Sequence, residues 1–421
     1  MTPRNDFKKI QEVHVFRNQT RAGVLSRTAS GSVFTYDAKF LEQVRGRTDF
    51  ATLSALKGIA FTLDTDATRH ETFGVNLHPF FAGLLPEGLR FTALRKALKT
   101  SEDDLFTLLV AVGTDVIGDI SISSVGNNTD STQNPPYDFN EATFADVFQN
   151  TLGTISNNPV FNEPSIPGIQ AKISAARITL PIGIKKRKKQ YILKLPSSKY
   201  PNLIENEHFF MSIAKISGLE TAATAIIYDK ANQPGLLVER FDRRFDDLKK
   251  TFQRIHLEDS CQFMSCYPAD KYRLNCFDIA ARIRELCTAP DVETAKLIHL
   301  IAFCYLIGNG DLHAKNISLM VEPETKIIRL SPAYDLLSTC VYGDRDMALD
   351  FEARKRNLKR QHFLNFARRF GMQPRVIESI LDDLVETTSS WLPRLQELGL
   401  PEKRIVELKG TIEHRRKHLS R

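Results

Sequence analysis

The sequence predicts an α+β protein of two lobes, β-rich in its first half and helical in its second. Short runs of Val, Ile, Phe and Tyr separated by turn residues recur as far as residue 245. From residue 276 onward apolar residues recur instead at helical spacing. Among these helices, a polar loop at 308–320 follows the apolar run 298–307 and gathers Asp311, His313, Lys315 and Asn316.

With 421 residues the chain has room for two or three domains and ample core. Its 42% hydrophobic and 25% charged residues are those of an ordinary globular protein, not of a disordered or fibrous one. The net charge of +7 permits an acidic or nucleic-acid partner without requiring one. The cysteines (Cys261, Cys266, Cys276, Cys287, Cys304, Cys340) form no C-x-x-C pair. Free thiols in a reducing cytoplasm are therefore expected, rather than a zinc site or a disulfide framework. The opening residues lack the apolar core of a signal peptide, and no apolar run reaches membrane-spanning length. A cytoplasmic protein without membrane contact is the expectation.

Taken in order, the chain opens with strand candidates at 13–16, 24–25 and 32–36, a small β-meander. Helices are expected at 89–98 and 105–112, the second with Ser101 as N-cap and Asp103-Asp104 at its positive end. A strand at 120–123 follows. The Gly, Asn, Ser, Thr, Gln and Pro of 125–137 mark a linker, and 140–152 reads as a short helix. Boundaries are accordingly placed at 1–125 for an N-terminal β-rich subdomain, 126–245 for a second unit, and 246–421 for an all-α C-terminal lobe.

Beyond the block 165–178, a hairpin is predicted whose basic tip, 185–189, reads more readily as a solvated turn than as a nucleic-acid contact. Its second strand, 191–195, carries Lys194. A buried ammonium inside a β run is costly unless paired, and Glu207, in the predicted helix 205–218, is the candidate partner. Two unrelated surface charges are the alternative. Strands at 224–229 and 236–238 end in the Glu239–Arg244 stretch. Helical patterns then cover 276–286, 292–307, 363–370, 376–392 and 402–409. The basic segment 354–375 and the tail 413–421 suit either a solvated helix face or a phosphate backbone.

The loop's spacing gives it a chemical reading. Asp311 and Asn316 stand five positions apart, like the base and the metal-binding amide of the protein-kinase pattern H-R-D-x-x-x-x-N. A hairpin is predicted at 317–321 and 327–330, and Asp335 follows it as a second acid. Base, amide, hairpin, acid is the order in which kinases supply a catalytic base and two Mg²⁺ ligands. A polar connector facing water is the bland alternative, and the order argues against it.

Beyond these spacings, the chain resembles HipA-type serine/threonine kinases, the toxin component of bacterial toxin–antitoxin pairs. The resemblance runs through FFAGLLPEG at 80–88, SIPGIQAK at 165–172, ILKLP at 192–196, NEHFFMSIAKISGL at 206–219, LLVERFDRR at 236–244 and HLEDSCQ at 256–262. GNGDLHAKN at 308–316 and SPAYDLLS at 331–338 complete it. It implies a two-lobed protein-kinase-like fold that uses ATP and Mg²⁺. Asp311 would be the catalytic base, Asn316 and Asp335 the metal ligands, and Lys194 the phosphate lysine oriented by Glu207. Lys315 would stabilise charge on the transferring phosphoryl group, and His313 would organise the loop by hydrogen bonds beside the nucleotide. Glu239 and Phe241 match the hinge that meets adenine. Ser165 and Gly168 match the phosphate-binding loop, whose serine is autophosphorylated in this family. The segment lacks the G-x-G-x-x-G of eukaryotic kinases. A protein substrate and a small helix-turn-helix antitoxin are implied partners, with DNA reached only through the latter. A corepressor with secondary kinase activity, a stand-alone kinase without antitoxin, and a small-molecule phosphotransferase are the alternatives.

Overall fold

The computed structural model describes residues 7–45, 56–74, 77–124, 136–147, 178–184 and 188–420. Ser165 and Gly168, most of the expected linker and the first three residues of the basic tip lie outside the described residues.

The expected meander is present. Strands β1 (Glu12–Arg17), β2 (Thr20–Thr28) and β3 (Gly31–Tyr36) pair antiparallel, flanked by β4 (Arg69–Phe73) and β5 (Ile120–Ser123) in the order β4-β3-β2-β1-β5. Val13, Val15, Leu25 and Phe34 form a core with α1 (Ala38–Arg45), α2 (Pro79–Gly83), α3 (Gly88–Leu98) and α4 (Leu105–Val112). The cap of α4 is Asp104, not Ser101: the Asp104 carboxylate accepts from the Thr107 N–H, while the Ser101 hydroxyl accepts from Asp103 N–H. The helix starts one residue after the acid that can satisfy its free amides.

A second sheet follows, from β6 (Pro136–Tyr137), β7 (Thr179–Ile184), β8 (Gln190–Lys194), β9 (Thr224–Tyr228) and β10 (Pro234–Glu239), ordered β6-β7-β8-β10-β9. Helix α5 (Leu203–Ile216) connects β8 to β9 and packs on β9 and β10. Register places Lys194 between Thr179 and Leu236, at the end of the sheet nearest the next lobe.

The C-terminal lobe contains α6 (Ser260–Phe263), α7 (Cys276–Leu286), α8 (Pro290–Ile307), α9 (Arg360–Arg369), α10 (Pro374–Trp391) and α11 (Glu402–Leu419). Helix α8 is buried around most of its circumference, which its nearly unbroken apolar sequence requires. Helix α11 outruns its expected end, burying Ile405, Leu408, Ile412 and Leu419 at three- to seven-residue intervals.

This lobe is not all-α. A hairpin of β11 (Arg243–Asp246) and β12 (Thr251–Arg254) follows β10. Strand β13 (Leu257–Asp259) pairs with β14 (Ser318–Val321), which pairs with β15 (Ile328–Leu330). The β14–β15 hairpin was expected, but β13 has only three residues, two of them acidic, and gives no alternating signal.

Several cations of the basic segment are committed within the fold. Arg356 pairs with Asp346, Arg360 with Asp382 and Arg369 with Glu352, and the Arg369 guanidinium lies 3.6 Å from the Phe277 ring centroid. Among the described residues no helix is long and apolar enough to cross a membrane.

Candidate active site

Helix α8 ends at Gly308, whose φ of 76° is the left-handed C-cap conformation that favours glycine. A side chain at Gly310 would be impossible, since its Cβ would lie 2.5 Å from the Asp346 carbonyl oxygen. These two constraints explain the Gly-Asn-Gly exit. The loop is then pinned: Asn309 Oδ1 accepts from the Asp311 N–H at 2.8 Å, and Thr339 Oγ1 accepts from Gly310 N–H at 2.6 Å.

Asp311 is buried, and its Oδ1 accepts a hydrogen bond from the Tyr272 phenol at 2.9 Å. Asn316 donates from Nδ2 to the Asp311 carbonyl at 3.0 Å, which turns its amide oxygen the other way, and the residue lines the cleft between the lobes. Asp335 lines the same cleft from the loop after β15. Its φ of 60° is left-handed, a conformation a non-glycine residue adopts at a cost and one that gathers at functional sites.

The Lys194–Glu207 pair exists. Lys194 Nζ donates to Glu207 Oε1 at 2.7 Å and to Asp335 Oδ1 at 2.8 Å, with Glu207 fully buried. One ammonium thus faces two carboxylates, Glu207 behind it and Asp335 on the cleft wall. Mg²⁺ takes oxygen ligands and needs only one or two from protein. Asn316 and Asp335 fit it.

The loop hydrogen bonds expected of His313 come from its main chain and not from its ring. Neither ring nitrogen has a partner among the described residues, although the side chain is 1% exposed. The loop is held instead by the His313 main chain: its N–H donates to Asp311 O at 2.8 Å and its carbonyl accepts from Asn316 N–H at 2.9 Å. The ring meets Tyr272 edge-on at 5.2 Å. Burial, assisted by the Lys271 ammonium, lowers its pKa to about 3, so the imidazole is neutral near pH 7. Two orphaned ring nitrogens in a cleft invite a polar ligand.

Lys315 lines the cleft, but its ammonium already contacts the Asp259 carboxylate, the Gly83 carbonyl at 3.2 Å and Glu87 at 3.8 Å. Burial disfavours that ammonium and pushes the Asp259 carboxyl up; the contact between them offsets both, and the charged pair is the form the geometry keeps.

At the hinge, Phe241 packs against Tyr334 at 5.9 Å, and with Ile192, Val238 and Leu257 they give the cleft an apolar wall suited to a planar base. The Glu239 N–H donates to Ala223 O at 2.8 Å and its carboxylate pairs with Lys189 at 2.6 Å, so neither is idle. Asp242 accepts from Arg240 at 3.0 and 2.8 Å, Arg243 at 2.7 Å and the Gly118 N–H at 2.9 Å, tying the hinge to the N-terminal subdomain.

The structure therefore brings Lys194, Asn316, Asp335, His313, Lys315, Glu239 and Phe241 around one cleft, with Glu207 buried behind Lys194 and Asp311 buried against Tyr272. Sequence reasoning did not assign Glu87, Asp259, Lys271 or Tyr272. A lone acid after Leu-Leu-Pro was the available signal for Glu87; Tyr272 had none.

A family model described as the HipA-like C-terminal domain matches residues 164–392, and one described as the HipA N-terminal domain matches residues 13–123. The serine/threonine-protein kinase toxin HipA of Shewanella oneidensis is 28% identical over 304 residues, spanning 65% of this chain and 66% of that protein. Protein Y4mE of Sinorhizobium fredii is 28% identical over 340 residues, spanning 76% and 79%. A chain in the solved complex of the Shewanella oneidensis HipA, HipB system with operator DNA shares the fold, with a TM-score of 0.74 over 96% of both chains at 20% identity.

Proposed function

The chain belongs to the HipA-like family, and on that premise we propose that it is an ATP- and Mg²⁺-dependent serine/threonine protein kinase acting as a growth-inhibiting toxin. The observation that carries this reading is the contact of Lys194 with both Glu207 and Asp335 beside the Asp311–Asn316 loop. ATP supplies the phosphoryl group, and Mg²⁺ neutralises charge on its phosphates.

Placement supports the following roles. Lys194, oriented by Glu207, holds the α/β-phosphates. Asn316 and Asp335 hold the metal. Asp311 orients the substrate hydroxyl and takes its proton, and a buried carboxylate fixed by Tyr272 is suited to that task. His313 offers neutral ring nitrogens to the nucleotide, while Glu239 and Phe241 border the base. Lys315 contributes positive charge from the floor of the cleft.

The proposed target is a translation component such as an aminoacyl-tRNA synthetase. Ser165 is the proposed autophosphorylation site, where a phosphoserine beside an anion site would compete with nucleotide phosphate, and Gly168 belongs to the proposed phosphate loop. The proposed partner is a small helix-turn-helix antitoxin, through which any DNA contact would run, and the proposed location is the cytoplasm.

Incubation of the purified chain with radiolabelled ATP and Mg²⁺ tests the reading. Phosphate should appear on protein with the wild type and be lost with Asp311→Asn. Equal labelling of both would overturn it, and intact-protein mass spectrometry with phosphate only at other residues would remove the role of Ser165.

A further inference from the structure

The kinase residues do not explain why the N-terminal subdomain sends a carboxylate into the cleft. Glu87 stands between α2 and α3, with Pro86 before it and Gly88 (φ 58°) after it. Its Oε2 lies 2.7 Å from Lys271 Nζ and its Oε1 3.8 Å from Lys315 Nζ. The segment that carries it is seated on the kinase portion. The Phe80 carbonyl accepts from Gln262 Nε2 at 2.9 Å, the Gly83 carbonyl accepts from Lys315 at 3.2 Å, and a Cβ at Gly83 would collide with Gln262 Cγ at 2.4 Å.

Both lysines reach the reacting groups within one step. The Lys271 carbonyl accepts the N–H of Ala314, inside the catalytic loop, at 3.1 Å. Its neighbour Tyr272 donates to Asp311, and the Lys271 ammonium lies 5.3 Å from the Tyr272 ring centroid. Lys315 immediately precedes Asn316. Glu87 and Asp259 thus balance two ammoniums at the floor of the cleft, and both lysines are held by carboxylates.

We propose that Glu87 is a positioning residue for phosphoryl transfer: clamped between Lys271 and Lys315, it lets the N-terminal subdomain set the geometry of Asp311 and Asn316. The inference rests on the kinase reading for its reaction, and it makes the active site a joint product of both domains. A shift of about 1 Å in a catalytic group costs on the order of a hundredfold in rate, so a positioning role is measurable. A merely stabilising ion pair would lower melting temperature and leave the rate alone.

The test uses the full chain with Glu87→Gln, Glu87→Asp, Lys271→Met and the Glu87→Gln/Lys271→Met double variant, with exposed Glu71→Gln as a control. Single-turnover transfer from ATP to the chain itself gives a maximal rate and a half-saturating ATP concentration. Hydrogen–deuterium exchange follows residues 308–320. Glu87→Gln should lower the maximal rate at least about tenfold with half-saturation nearly unchanged, and should speed exchange in 308–320. Glu87→Asp should recover part of the rate, the double variant should add little, and Glu71→Gln should match wild type. An unchanged maximal rate, a loss confined to half-saturation, or exchange in 308–320 equal to wild type would overturn the inference. Should the wild type transfer no phosphate, the kinase reading fails, and exchange in 308–320 still decides whether Glu87 holds the loop.

Discussion

Lys194 and Asp335 stand 2.8 Å apart, though one ends a strand of the second sheet and the other follows the C-lobe sheet by a loop. The contact closes the cleft across its two walls, and it shares its ammonium with Glu207. The same ammonium thus meets both carboxylates.

Replacing Lys194 by Met should therefore cost stability as well as function. Removing one partner of a buried pair typically costs about 3–5 kcal/mol, because the remaining charge stays buried; Asp335 is 23% exposed and moderates this, whereas Glu207 is 0% exposed. Urea unfolding of Lys194→Met should show a clearly lower midpoint. Thermal scans should show that Mg²⁺ with ATP raises the melting temperature of the wild type and not of the variant. A variant that keeps the full nucleotide-induced shift would show that Lys194 does not hold the phosphates.

His313 predicts a specific acid sensitivity. Its folded pKa of about 3 lies below the ordinary 6.5, chiefly through burial. Between those values the unfolded chain binds the extra proton, so stability is lost as pH falls below about 6.5. His313→Gln removes that contribution. The urea midpoint of the wild type should drop more between pH 7 and pH 5 than that of the variant. Parallel declines would mean that the imidazole is not held neutral in the fold.

The thiols supply an independent check on burial. All six cysteines are free, five of them buried, and Cys266 is half-buried. Burial pushes the Cys261, Cys276 and Cys304 thiols far up and Cys287 up to about 12. The thiolate is the reacting form. Burial raises the Cys266 thiol as well, but its partial exposure should let a chromogenic disulfide reagent titrate it first in the native protein and the rest only after unfolding. Rapid modification of several thiols would place the C-lobe core in doubt.

Much of this architecture is legible in the chain because its signals are local. Alternation in β1 to β3, the apolar run of α8, and Asp311 with Asn316 five residues on can all be read within short windows. Glu207 was legible as the candidate partner of Lys194, and the fold makes that contact and adds Asp335 to it, a residue 141 positions from the lysine. Glu87 and Lys271 could not be paired in advance, since 184 positions separate them and each is an ordinary charge in its own window. Strand β13 exists because β14 offers it a partner, a cause that no three-residue pattern contains.

Asp242 carries the last prediction. It neutralises Arg240 and Arg243, both nearly inaccessible, beside the hinge residue Phe241. Burial and the neighbouring Arg240 charge lower the Arg243 pKa to about 9, and Asp115, held at about 2 by the same arginines, is the other acid of the cluster. Asp242→Ala would leave two buried guanidiniums sharing Asp115 and would also free the Gly118 N–H. Loss of one partner from such a cluster costs about 3–5 kcal/mol. Asp242→Asn keeps an acceptor and should cost less. Because Gly118 and Asp115 belong to the N-terminal subdomain, the damage should spread to its seat on the hinge: limited proteolysis of Asp242→Ala should cut between the two domains faster than in wild type. A loss under about 1 kcal/mol, typical of exposed pairs, together with unchanged proteolysis, would show that the cluster does not hold the domains together.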